Sequence, residues 1–181
     1  MTKNLQGGNE KRSLLRRILI YGAAIFILGI LQCSFFSKLK PFGAVPDLML
    51  GAICAIALLD GKGVAVVSAV CAGYFIDALG AVSPSFSPLF YLVCAAISAL
   101  LAEKLIPKFI SFALSMLPLL ALRAIYTLTA VTAAYGELPA LSAALSLLLS
   151  EAISTAVICI PVYFVIKLCT IPICARSKFS F

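Results

Sequence analysis

Six apolar runs follow one another along this chain, at residues 18–36, 48–59, 64–79, 88–101, 109–134 and 141–166, each bounded by charged or turn-forming residues. A helix that crosses a bilayer needs about 20 mainly apolar residues, so runs of this length and number specify a membrane-embedded bundle. With 63% hydrophobic and only 12% charged residues, and a mean hydropathy of +1.14, the chain lies outside the usage of soluble domains, where about 25% of residues are charged. Its fold class is therefore an all-α integral membrane protein. The expected organisation is one bundle over residues 18–168, between a flexible basic tail at 1–17 and a short basic tail at 169–181.

The punctuation between runs sets the topology. Asp60-Gly61-Lys62-Gly63 is a tight turn that divides one long apolar stretch into a second and a third span. The second is short, and either starts within the preceding loop or tilts little. Ser83, Pro84, Ser85 and Ser87 mark an uncharged outer loop, and Glu103, Lys104, Pro107 and Lys108 an inner one. Tyr135-Gly136-Glu137-Leu138-Pro139 turns the chain into the last span, and Pro118 predicts a kink in the fifth. The first run exceeds the apolar core of a signal peptide and is expected to be retained. If both termini face the cytoplasm, 11 of the 14 Lys and Arg residues lie inside, Lys38 and Lys40 lie outside, and Arg123 lies in the membrane. That bias selects six spans, N-in and C-in. The net charge of +7 is thus a topology signal and not the footprint of a nucleic-acid partner.

Arg123 and Glu151 are the costliest residues, since a lone charge at mid-bilayer is penalised by about 2.5–3.5 kcal/mol on insertion scales. They lie about equally far from the turn joining the last two spans, so antiparallel packing sets them at one depth, close to midplane. They form an ion pair that pins helix register, or a polar site for a ligand, proton or partner helix. Ala65, Ala69, Gly73 and Asp77 recur at spacing four and make a small-residue stripe for helix packing or partner contact. Ser142, Ser146, Ser150 and Ser154 make a polar stripe beside Glu151, as hydrogen-bonding glue or a cavity lining. Asp47 and Asp60 sit at helix ends, where capping is the ordinary role.

The seven cysteines (Cys33, Cys54, Cys71, Cys94, Cys159, Cys169 and Cys174) include no CxxC pair, and most fall inside apolar runs, where a thiol packs as a small hydrophobe. Histidine is absent. No HExxH, acid dyad or base-activated serine is present, so an enzyme, a metal site and a cofactor are not expected.

Leu31-Gln32, Pro46-Asp47-Leu48, the Gly61 and Gly63 turn, Gly73, Asp77, Gly80 and Tyr91 occur in an order that resembles the rod shape-determining MreD family of bacteria. The matching stretch covers residues 31–103. The chain departs from the family's pattern after the third-span acid, where Gly80 comes early and Ser-Pro-Ser-Phe-Ser late. The resemblance implies a non-enzymatic, multi-pass component of the bacterial plasma membrane that regulates rod shape and lateral peptidoglycan synthesis. It also implies partnership with MreC, and through it with MreB, RodA and a penicillin-binding transpeptidase. The implied bundle is similar to the substrate-binding subunits of energy-coupling-factor vitamin transporters, which makes a small-solute binding subunit the rival function. Such subunits carry an Ala-x-x-x-Ala contact in the first span, whereas here Ala23 and Ala24 are followed by Ile27 and Leu28. The expected mode of action is lateral helix contact, with the small-residue third span presented to other membrane proteins.

Overall fold

The computed structural model describes residues 3–80, 86–104, 109–136 and 140–177, with side chains described for residues 15–79, 86–104, 109–133, 136 and 140–170. Its helices are α1 (Lys3–Ile30), α2 (Leu48–Asp60), α3 (Lys62–Gly80), α4 (Ser87–Lys104), α5 (Phe109–Tyr135) and α6 (Leu141–Ser177). No strand occurs among the described residues. Among the described residues, five helical segments are long and apolar enough to cross a membrane, within α1 and α3 to α6. The sixth apolar run is different in kind.

That run forms α2, whose 13 residues reach only about 20 Å at 1.5 Å per residue, short of the roughly 30 Å hydrocarbon core. Every residue from Leu48 to Leu58 is buried, and α2 touches all five other helices. It is the axis of the bundle. A helix apolar all round suits that position, because none of its faces meets water or lipid.

The close approach to α2 is made possible at Gly51, where a Cβ would overlap Cys159 of α6. Between α3 and α4, a Cβ at Gly73 would overlap the backbone of Pro88. Small residues at such crossings let helices in lipid gain packing contacts in place of a hydrophobic driving force.

The chain reaches the start of α2 by an irregular route. The helix of α1 loosens into a π-helical segment at Leu31–Phe36, followed by one turn at Ser37–Leu39 and a 3-10 turn at Pro41–Gly43. Lys40 and Phe42 take left-handed backbone conformations, with φ of 41° and 58°, which for non-glycine residues cost about 1–3 kcal/mol each. The bend is held by Gly43 N–H on the Lys40 carbonyl at 2.8 Å and by the Ser150 hydroxyl of α6, which donates to the Phe42 carbonyl. Residues 41–47 thereby turn back into the bundle alongside α6.

Two boundaries differ from the sequence expectation. The segment 1–17, read as a flexible tail, is helical from Lys3 onward, since it lacks proline and runs without a break into the first span. At the other end α6 continues to Ser177, past the expected limit at 166. Pro118 lies within an unbroken α5. The outer loop at 81–85, the inner loop at 105–108 and the turn at 137–139 lie outside the described residues, as does the Cys174 side chain.

Candidate functional site: a buried charged layer

The first problem posed by α2 is its own N-terminus, which lies inside the bundle with N–H groups that a helix cannot satisfy and lipid cannot solvate. Each is met by a side chain. Gln32, brought inward by the π-helical segment and 8% exposed, accepts from Leu48 N–H at 2.9 Å and Met49 N–H at 3.4 Å. Asp47 is the N-cap, its Oδ1 accepting from Leu50 N–H at 3.2 Å. Asp47 N–H itself donates to Thr155 Oγ1 of α6 at 3.1 Å.

The capping carboxylate then recruits the membrane-embedded cation. Arg123 Nη1 lies 3.0 Å from Asp47 Oδ2, and Arg123 Nε lies 2.8 Å from Glu151 Oε1. Tyr91 of α4 donates its hydroxyl to Asp47 at 2.9 Å and 3.0 Å, and Thr127 donates to Glu151 Oε2 at 2.8 Å. The guanidinium is flanked by the rings of Phe90 and Tyr126, with Cζ 5.6 Å and 5.5 Å from their centroids, an added cation–π attraction. Asp47 is fully buried and Glu151 is 7% exposed.

Electrostatically the layer holds two carboxylates and one guanidinium, with the start of α2 adding a partial positive charge of about half a unit. A buried ion pair is a weak source of net stability, but deleting one partner costs about 3–5 kcal/mol because the other charge is left without compensation. The oxygens of Asp47 are occupied by donors from α2, α4 and α5. An acid held in this way fixes geometry; its lone pairs are committed to the chain.

Along the helix axes, Asp47, Tyr91, Arg123 and Glu151 lie about 20, 20, 21 and 24 Å from Asp60, Lys104, Phe109 and Lys167 respectively. These side chains share one level of the bundle, as the equal distance of Arg123 and Glu151 from their turn led the sequence to expect.

The small-residue stripe is turned inward. Ala65 and Ala69 are fully buried, and Gly73 is pressed against Pro88, so these three residues are occupied by contacts within the chain and are not presented outward. Asp77, near the far end of α3, is half-buried. The serine stripe divides: Ser142 and Ser146 are exposed, Ser150 ties down the Phe42 carbonyl, and Ser154 bonds the Glu151 carbonyl at 3.0 Å.

Sequence reasoning placed Arg123 beside Glu151 but left Asp47 as a cap alone. The available signal was the short second run beginning at an acid, which leaves a helix start inside the membrane. No family model matches the chain, and no curated protein or solved structure matches it either.

Proposed function

We propose that the protein is a non-enzymatic, MreD-like component of the bacterial cell-elongation machinery, acting in the plasma membrane by lateral contact with partner membrane proteins. The observation that carries this reading is the convergence of its sparse motif. Gln32, Asp47-Leu48 and Tyr91 are separated by up to 59 positions in sequence, yet they bond one another around the start of α2. Motif residues that meet in this way are the ones a shared fold needs to keep. The saturation of Asp47 by internal donors supports a scaffold over a solute-binding subunit, because a solute would need those lone pairs.

Six crossings with both termini in the cytoplasm fit this architecture when residues 41–47 and α2 together count as one. In support, Arg17 pairs with Asp60 and Lys62 with Glu103 at one end of the bundle, the end where the basic residues concentrate. With the third-span stripe buried, lateral contact falls to outward apolar residues of α4 and α5 such as Leu89, Val93 and Ile125, all exposed. An MreC-like single-span protein is the expected neighbour, linking the bundle to MreB, RodA and a penicillin-binding transpeptidase.

Depletion in a rod-shaped host tests the reading: cells should become round and an MreC-like protein should cease to copurify. Cells that stay rod-shaped while losing uptake of a vitamin would assign the chain to the transporter class instead.

A further inference from the structure

Between α1 and α3, at the basic end, the surface opens into a groove of about 350 Å³ walled by apolar residues such as Ile18 and Val67 and closed by the turn Asp60-Gly61-Lys62-Gly63. That volume lies toward the small end of ligand sites, about 300–1,000 Å³. Glycine makes the space: nothing lies within 4 Å of where a Cβ on Gly22 or Gly63 would stand. Ile18 and Val67 are both exposed, so the groove is open along the side of the bundle that faces lipid.

Its closed end carries charges of both signs. The helical bonding of α3 begins with Ala65 N–H on the Gly61 carbonyl at 3.2 Å, so the N–H groups of Lys62, Gly63 and Val64 precede the ladder at the positive end of a 19-residue helix. Lys62 Nζ, its side chain 75% exposed, adds a cation at the rim, 3.0 Å from Glu103 Oε1. Asp60 supplies the opposite sign. Its side chain is 9% exposed and its Oδ1 takes Arg17 Nη1 at 2.5 Å, but its Oδ2 is buried with no hydrogen-bond partner. Arg17 Nε is buried without a close partner as well, and the Tyr21 hydroxyl faces the same carboxylate from beyond close hydrogen-bond range.

We infer that this groove holds a zwitterionic phospholipid with a primary ammonium, of the phosphatidylethanolamine type. The phosphate meets the N–H groups at the start of α3 and Lys62, the ammonium is drawn to the under-bonded Asp60 carboxylate, and an acyl chain lies between α1 and α3. A purely anionic headgroup would leave Asp60 facing a like charge. A soluble zwitterion would have no use for the apolar walls.

The test is native mass spectrometry of the full chain, stripped of lipid in detergent and exposed to equimolar phosphatidylethanolamine and phosphatidylglycerol with identical acyl chains. One phosphatidylethanolamine per chain is expected, preferred by roughly tenfold. Asp60→Asn should bring the two lipids near parity, and Gly22→Leu, which fills the groove, should remove the adduct. Gly63→Leu blocks the groove from the opposite wall, so a folding failure of one variant leaves the test standing. Equal or better retention of phosphatidylglycerol, a second copy of the chain in place of lipid, or an adduct unchanged by filled glycines would each overturn the inference.

Discussion

The two polar clusters of this bundle are built from similar parts and finished to different degrees. Around the start of α2, Asp47, Tyr91, Arg123 and Glu151 bond one another, and the N–H groups of residues 47–50 all have partners. At the basic end, Arg17, Tyr21 and Asp60 repeat the trio of guanidinium, phenol and carboxylate. Yet Asp60 Oδ2 and Arg17 Nε are buried without a close partner, and the Tyr21 hydroxyl meets Asp60 only loosely, beside a groove open at the surface. In lipid an unsatisfied polar group has no water to turn to, so the first cluster reads as a lock closed by the chain itself, and the second as a site completed from outside.

Removal of charge should expose the contrast most strongly. Arg123→Leu leaves two buried carboxylates facing each other and should lower stability by about 3–5 kcal/mol, seen as loss of the monodisperse, thermally stable species in detergent. Glu151→Gln should cost less, since Arg123 keeps Asp47. Swapping the two residues, Arg123→Glu with Glu151→Arg, should restore only part of the loss, because the new Glu would face Asp47. Full rescue would show that Asp47 is dispensable to the pair.

The two tyrosines make a matched comparison one step down. Tyr91→Phe removes a donor from both Asp47 oxygens and should cost about 1–3 kcal/mol. Tyr21→Phe removes a hydroxyl that reaches only Asp60, and that beyond close hydrogen-bond range, so it should cost less, about 0.5–1.5 kcal/mol. Equal melting shifts for the two variants would erase the distinction between the clusters.

Packing should rank beside Tyr91. At Gly73, substitution by Ala drives a methyl into the Pro88 backbone and should cost about 1–3 kcal/mol, measured by thermal melting. The smallest effect belongs to Lys62→Gln. The Lys62 and Glu103 side chains are 75% and 57% exposed, and a solvated pair of this kind contributes about 0–1 kcal/mol.

Much of this was legible in the sequence where the deciding physics is local. Apolar run length specifies α3 to α6, and distance from a shared turn places Arg123 beside Glu151, because an antiparallel hairpin leaves its register little freedom. Asp47 was legible as a cap for the same reason: the cap bond to Leu50 spans three residues. Its bond to Arg123 spans 76 residues and depends on residues 41–47 folding back beside α6, which hydropathy does not encode. The stripe at Ala65, Ala69 and Gly73 was visible as a face, but the partner of that face is decided by the whole bundle.

One consequence of the sealed α2 start concerns the order in which the molecule is made. Thr155, which accepts from Asp47 N–H, and Glu151, which holds Arg123, both belong to α6, which leaves the ribosome after α1 to α5. Until α6 is synthesised, the segment 41–47 has neither the Ser150 hydroxyl that ties it down nor a partner for the first amide of its cap. The central helix therefore reaches its final position late, and a nascent chain ending before residue 150 should still be proteolytically soft at 41–47 when its other hairpins have already inserted.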